Sequence, residues 1–433
     1  MERNAMKHLL KWKNKKNRKP LILKGARQVG KTWLMKEFGK RHFKYTAYVN
    51  MDNNKNMLDA FEKDYDIKRI IMAINFETGV KIVPNETLII FDEIQENSKA
   101  LSALKYFCED APEYAVIAAG SLLGVAIHNG VSFPVGKVDT LELHPLSFKE
   151  FLSAVGENGL VSLLENNDYD MIDTFHDKYI DWLKKYYYIG GMPEVVSSFV
   201  EDNDFGEVRY IQKRIIEMYE QDFSKHTPSE ELPRIRMVWD SIPMQLAKEN
   251  KKFFFGKIKE GARSKDFEVA IEWLKDCGLI KKVYKVSKPA MPLKAYVEFS
   301  AFKLYVLDVG LLGALSGLSA KAILEGNKIF TEFKGALTEQ YVLQQIVTET
   351  EYIPYYYTET KSEGEIDFIV QNDTNVVPIE VKAEENLRAK SLKMYCEKYQ
   401  PELAIRTSMS RYREQEWMVN VPLYILDKYL DDK

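Results

Sequence analysis

Cysteine is scarce. The chain of 433 residues has three, Cys108, Cys277 and Cys396, set far apart. They form neither a metal-ligand motif nor a disulfide framework, which excludes a zinc ribbon or a disulfide-built scaffold and fits a reducing cytoplasm. The six histidines are scattered too and read as ordinary surface or core residues. An excess of one charge is missing: 61 Lys and Arg face 64 Asp and Glu, for a net charge of −3. The whole molecule is therefore no polycation, and any nucleic-acid surface must be a local patch. A long apolar run is missing as well. The most apolar stretch, residues 115–127, is broken by Gly120-Ser121 and falls short of the roughly 20 residues a membrane span needs. The N-terminus is basic, with Lys7, Lys11, Lys13, Lys15, Lys16, Arg18 and Lys19, but no apolar core follows it. It reads as a solvated helix face and not as a signal peptide. These absences predict a cytoplasmic protein with no membrane partner and about two to four domains.

What is present is organised around Gly25-Ala26-Arg27-Gln28-Val29-Gly30-Lys31-Thr32. This stretch fits G-x-x-x-x-G-K-[ST], a loop that wraps phosphates. Gly25 and Gly30 allow backbone angles that a Cβ resists, so the loop can turn its N–H groups inward. Lys31 then reaches the β- and γ-phosphates of ATP, and the Thr32 hydroxyl ligates Mg2+. Leu21-Ile22-Leu23 supplies the buried strand before the loop. A helix over residues 32–40 points its positive end at the anion. Downstream, Thr87-Leu88-Ile89-Ile90-Phe91 reads as a fully buried strand that ends in Asp92-Glu93. In that order Asp92 supports the Mg2+ and Glu93 polarises the attacking water.

Strand and helix patterns alternate through residues 45–150. Strands are expected at 45–50, 115–119 and 138–143, and helices at 53–63, 67–76 and 98–109. Such alternation predicts an α/β fold with a parallel sheet covered on both faces. Ligands bind at the carboxyl ends of its strands, where the loop, Asp92-Glu93 and Ser121 can converge. Residues 157–225 read as a helical lid. Residues 226–300 pass from helices to a two-stranded hairpin, at 279–286 and 294–299, which suggests a winged helix-turn-helix. Lys251, Lys252, Lys257, Lys259, Arg263 and Lys265 cluster around its candidate recognition helix. That face suits DNA or, equally, a protein partner.

The last part, residues 301–433, carries a second constellation. Glu365 to Val370 and Val376 to Lys382 read as strands, and period-2 alternation puts Glu380 and Lys382 on one face. Asp367 followed by Glu380-x-Lys382 is the pattern of a metal-dependent phosphodiesterase core, with Glu339 on the preceding helix as a third acid.

Several further stretches carry a resemblance. Gly-Ala-Arg-Gln-Val-Gly-Lys-Thr at 25–32, Phe-Asp-Glu-Ile-Gln at 91–95, Ala-Gly-Ser at 119–121, Pro-Leu-Ser-Phe-Lys-Glu-Phe at 145–151, Gly-Gly-Met-Pro-Glu at 190–194 and Phe-Lys-Leu-Tyr-Val-Leu-Asp-Val-Gly-Leu-Leu at 302–312 resemble a prokaryotic family of AAA-type ATPases. The resemblance implies a P-loop ATPase core at 1–156, the lid and winged helix already named, and a restriction-endonuclease-like C-terminal domain. By the same resemblance Ser121 stands where the γ-phosphate is read. One departure is Gly136-Lys137-Val138, where the family often has arginine. Lysine cannot make the bidentate fork of an arginine finger.

Two functional readings follow. The first is an ATP-binding, Mg2+-dependent ATPase coupled to a C-terminal half that faces DNA or a protein partner, with oligomerisation left open. The second is a nucleotide-gated regulatory switch with little turnover. Nuclease action at Glu339, Asp367, Glu380 and Lys382 would be an additional activity.

Overall fold

A computed structural model describes residues 1–121, 123–124, 133–248, 251–325, 328–359, 364–383 and 389–431. Leu122 and residues 125–127 of the apolar run lie outside them. Among the described residues no helix is long and apolar enough to cross a membrane. The chain divides into two compact units, Met1–His144 with Asp276–Gly278, and Pro145–Lys275 with Leu279–Lys433.

The first unit is built on five strands: β1 (Leu21–Lys24), β2 (Tyr45–Asn50), β3 (Thr87–Asp92), β4 (Ala115–Ala119) and β5 (Asp139–Glu142). All pair in parallel, in the order β2-β3-β4-β1-β5. Every residue of β3 and β4 is buried, as expected of strands covered on both faces. Ile89, Phe91, Val116 and Ala118 share a core with Ile70, Ile74, Leu101, Leu104 and Phe107 from the helices Ile67–Thr78 and Ser98–Asp110. Asp66 and Asn97 cap those helices by accepting the N–H groups of Lys68 and Ala100. The strand order has a consequence for chemistry. β4 lies between β1 and β3, so the ends of these three strands are neighbours.

The second unit combines helices with an eight-stranded sheet. Its strands are β6 (Ile280–Val286), β7 (Val297–Val306), β8 (Tyr355–Thr358), β9 (Glu365–Gln371), β10 (Val376–Val381), β11 (Ile405–Ser408), β12 (Arg413–Glu414) and β13 (Val419–Pro422). The order is β12-β13-β11-β10-β9-β8-β6-β7. The hairpin expected as a wing is thus the edge of this larger sheet: Lys285 and Val286 of β6 pair in parallel with Tyr356 and Tyr357 of β8. Its second strand also runs to Val306, well past residue 299. The last six residues of β7 are buried, with Lys303 among them, so burial on both faces erased the alternation that marks a wing. The sheet crosses the expected boundary at residue 300, and the helix Phe148–Ala154 falls in the second unit.

The Pro-Leu-Ser-Phe, Gly-Gly-Met-Pro and Leu-Asp-Val-Gly stretches interlock within this unit. Leu146 N donates to Gly191 O at 2.7 Å. Gly191 N donates to the buried Asp308 carboxylate at 2.6 Å. A Cβ on Gly191 would stand 2.0 Å from Leu146 O, so no larger residue fits without moving backbone. The helix Lys328–Glu349 adds a seam of glutamines. Gln340, Gln344 and Gln345 accept the backbone N–H groups of Val306, Val309 and Phe148 at 3.0, 2.9 and 2.8 Å.

Candidate nucleotide-binding site

β1 ends at Lys24, and the next residues fold back over the sheet as Gly25 to Gly30. Gly25 has φ 143°, and a Cβ there would meet Leu143 O at 2.3 Å. Gly30 has φ 91° and precedes the helix Lys31–His42, whose first N–H groups have no side-chain cap. Uncapped donors at a positive helix end form an anion site. The loop is braced from behind by Arg3, which is buried and donates to Val29 O at 3.1 Å and His144 O at 2.6 Å.

Lys31 is buried, and its ammonium donates to Gly25 O at 2.9 Å and Ala26 O at 2.7 Å. Burial pulls its pKa down to about 8, against the opposing pull of Glu93 and Asp92. Because the folded value lies below the unfolded one, the charged lysine destabilises the free fold, by on the order of 3 kcal/mol at neutral pH. That penalty fades as pH rises from about 8 towards 10.5, the ordinary value for lysine. Bound phosphates favour the charged form and oppose it. ATP binding is therefore expected to take up almost no proton at neutral pH and close to one near pH 9, with affinity falling by up to about tenfold per pH unit above 8. Calorimetry in two buffers of different ionisation enthalpy reads this uptake. A flat profile would show that Lys31 does not meet the phosphates.

The Thr32 hydroxyl donates to Asp92 Oδ2 at 2.6 Å, and Tyr48 donates to the same oxygen at 3.0 Å. A hydroxyl and a carboxylate oxygen this close fit a hard dication that takes its other ligands from phosphates and water. Glu93 follows Asp92 in a left-handed conformation, φ 50°, and its N–H donates to Asp92 Oδ1 at 3.1 Å. Glu93 Oε2 accepts from Gln95 Nε2 at 2.6 Å and from Ser121 Oγ at 3.2 Å. Ser121 Oγ in turn accepts from Arg27 Nε at 3.2 Å. A chain of contacts thus runs from the glycine loop through Arg27 and Ser121 to Glu93 and Gln95. Gln95 Oε1 is buried with no partner, against the place a Gly120 Cβ would take. Residues 25–32, Asp92, Glu93 and Ser121 come together; Lys137 pairs instead with Glu109 at 2.6 Å. Tyr48, Gln95 and Arg3 were not singled out by sequence. The Gln in Phe-Asp-Glu-Ile-Gln was the one available signal.

The second constellation, in the second unit, is arranged differently from its expected form. Glu339 lies beside Asp367, and Lys382 pairs with Glu380 at 2.8 Å. Two further lysines enter. Lys251 donates to Glu339 Oε1, and Lys303, with no exposed surface, pairs with Glu365 and lies 3.7 Å from Glu339 Oε2. Tyr305 donates to Glu339 Oε2 at 3.1 Å, and Val381 N donates to Asp367 Oδ2 at 2.8 Å. Burial opposes the Glu339 charge, but Lys251 and Lys303 outweigh it and hold that carboxyl below the usual range. Burial and the Glu339 charge push Asp367 well above it. Both Glu339 oxygens are engaged, and among the described residues no three or more His, Cys, Asp or Glu side chains are arranged to hold a metal. As they stand these residues do not fit a divalent ion. Lys251, expected on a nucleic-acid face, is thereby largely buried, whereas Lys257, Lys259, Arg263 and Lys265 are exposed.

Residues 17–152 match a family model described as AAA domain. Residues 180–322 and 334–426 match two models described as domains of unknown function, DUF8612 and DUF4143. No curated protein matches the chain. Among solved structures it is similar to a Walker-type ATPase of Pyrococcus abyssi, at 14% identity and TM-score 0.46, covering 73% of this chain and 95% of that one. It is similar to the ORC1 protein of Aeropyrum pernix in complex with DNA, at 14% identity and TM-score 0.28, covering 72% and 90%. AMPPCP-bound DnaA from Aquifex aeolicus is a third, at 14% identity and TM-score 0.25, covering 63% and 85%.

Proposed function

We propose that the protein binds ATP with Mg2+ and hydrolyses it. The observation that carries this reading is the convergence of Lys31, Thr32, Asp92, Glu93 and Ser121 at the ends of three adjacent parallel strands, with Thr32 and Asp92 2.6 Å apart. The match of residues 17–152 to an AAA domain supports it. In this reading the loop N–H groups and the Lys31 ammonium cradle the β- and γ-phosphates. Thr32 and Asp92 would hold the Mg2+, whose chemistry is to neutralise charge on the phosphate oxygens. Glu93 orients the attacking water and accepts its proton, and Ser121 lies within reach of both Glu93 and Arg27. The test is sustained phosphate release from ATP by purified protein, dependent on Mg2+. Release that Lys31→Ala and Glu93→Gln leave untouched would overturn the proposal.

One observation favours a nucleotide-gated switch. Glu93 Oε2 is already engaged by Gln95 and Ser121, so water must compete for that oxygen. ATP binding with no turnover in the parent protein would select this reading.

The partner side of the proposal rests on Lys257, Lys259, Arg263 and Lys265, which stay exposed on one short stretch. They suit a phosphate backbone, in keeping with DNA. Replacing Lys257, Lys259 and Lys265 together by alanine is expected to reduce the slope of log affinity against log salt by up to about 3. An unchanged slope would move the contact elsewhere, and salt-insensitive binding would point to a protein partner.

A further inference from the structure

We infer that a cavity between the helix Tyr169–Thr174 and residues 411–429 binds an organic cation, an alkylated ammonium or a guanidinium group on an apolar body. All of its lining belongs to the second unit, and its volume is about 660 Å³. That is the size of a site for a small molecule or for one long side chain. Asp168 caps the helix by accepting Met171 N at 3.2 Å, and spacings of three and four residues put Tyr169, Asp170 and Asp173 close together. Arg411 and Tyr412 come from the connection between β11 and β12, and Tyr429 from the helix Leu426–Asp431. Tyr424 and Tyr429 are buried on the inner side, whereas Tyr169 and Tyr412 keep 40% and 41% of their surface exposed.

Charge sets the class of ligand. The charged side chains that line the cavity are Asp170, Asp173 and Arg411. Arg411 is already engaged: its guanidinium donates to Asp173 O, pairs with Asp173 Oδ2 at 3.0 Å and lies 3.8 Å from Asp177 Oδ1. Among the described residues no ion pair takes up the Asp170 carboxylate. The lining therefore carries a spare negative charge. A phosphate or carboxylate ligand would have to draw Arg411 away from Asp173 and then sit beside Asp170. Charges behind the lining have the same sign. Burial raises the pKa of Tyr424, and Asp173 and Asp177 add to the rise against Arg411; at Tyr429 burial and Tyr412 raise it, with Glu414 adding to them.

Four tyrosine rings supply what a carboxylate alone does not. An aromatic face attracts a cation through its quadrupole, and the attraction grows where water is excluded. The rings of Tyr412 and Tyr429 lie 6.1 Å apart, tilted at 46°. Tyr424 is held from behind: its ring stacks on Tyr179 at 4.5 Å and 8°, and its hydroxyl shares a hydrogen bond with His176 Nδ1 at 2.8 Å. Tyr179 in turn donates to Leu160 O at 2.8 Å. The inner wall is thus preformed, so little ordering opposes binding. An inorganic ion gains little from such walls, because hard cations need many oxygen ligands. An organic cation uses both features, its charge against Asp170 and its apolar body against the rings.

The experiment titrates full-length, nucleotide-free protein calorimetrically with three probes: choline, its uncharged carbon isostere, and acetyl-arginine methylamide. Choline stands for a free organic cation and the arginine derivative for a side chain of a partner protein; the tighter of the two identifies the source. At least one of them is expected to bind with a dissociation constant of about 1 mM or below, and the uncharged isostere at least about tenfold more weakly than choline. Asp170→Asn and Tyr412→Leu are each expected to weaken the cation by about fivefold or more, and Arg411→Gln, which releases Asp173 and Asp177, to tighten it. An anion site would respond to Arg411→Gln in the opposite sense. No cation binding up to about 10 mM overturns the inference, as does an isostere that binds as well as choline, or binding that Asp170→Asn and Tyr412→Leu leave unchanged. If Arg411→Gln does not fold, the other two variants, both at exposed side chains, still decide.

Discussion

Glu93→Gln protein is expected to hold ATP and to release phosphate at least about a hundredfold more slowly than the parent. The amide keeps the shape of the carboxylate, so Gln95 and Ser121 retain an acceptor in the place of Glu93 Oε2. What is lost is the ability to take a proton from water. Binding survives because the loop N–H groups, Lys31 and Thr32 are untouched. Removing a negative charge beside the phosphates also leaves affinity equal or slightly higher, even though Lys31 loses a neighbour that favours its charged form. Single-turnover phosphate release, together with equilibrium binding of a fluorescent ATP analogue, measures the two quantities separately. Turnover at the parent rate would place the base on another residue.

Lys31→Ala is expected to weaken ATP binding by about a hundredfold or more, since each charge-assisted hydrogen bond contributes about 1.5–3 kcal/mol and the proposed role of the ammonium is to meet two phosphates. The same change should not harm the free fold. Lys31 is buried and its charged form is disfavoured there, so deleting it removes a destabilising charge at the loss of two contacts, to Gly25 O and Ala26 O. A melting temperature equal to or above that of the parent, with affinity lost, is the expected pair of results. Calorimetric titration and thermal unfolding of the same sample supply both. Affinity within about threefold of the parent would mean that this lysine does not meet the phosphates.

The candidate nucleotide site was legible in the sequence because its parts are local. Residues 25–32 carry their own spacing, and β3 announces itself as an uninterrupted apolar run ending in two acids. Parallel strands then bring those ends together by topology alone. The supporting contacts were not legible. Tyr48 reaches Asp92 from a neighbouring strand, and Arg3 reaches the loop from the N-terminal segment. Neither has a periodic signature. In the C-terminal part Glu339, Asp367, Glu380 and Lys382 carry a spacing pattern, whereas Glu365, Lys251 and Lys303 do not: Lys251, expected on a nucleic-acid face, points inward to Glu339, and Lys303 is enclosed within β7. The hairpin's membership of a larger sheet was hidden for a similar reason. Pairing of β6 with β8 joins residues about seventy positions apart, and nothing within the hairpin encodes it. The glycine-rich stretches at 190–191 and 310, which carry part of the resemblance, serve close backbone approach around Asp308.

The glutamine seam on the helix Lys328–Glu349 has a consequence for how the molecule responds to its surroundings. Gln340, Gln344 and Gln345 do for strand and helix ends what ion pairs do elsewhere, but an amide has no charge to screen and no proton to lose. Dissolved ions screen exposed charges over about 8–10 Å at physiological ionic strength, and acid or base removes the charge of one partner outright. Neutral amides buried against backbone are indifferent to both. The three amide-to-backbone bonds at Val306, Val309 and Phe148 therefore do not themselves depend on ionic strength or pH, and the ionisable group in the joint is Asp308, which accepts from Gln344 at 3.1 Å. Titrations in salt then report on the exposed lysines, and titrations in acid or base also on buried carboxyls such as Asp308, which burial holds above the usual range.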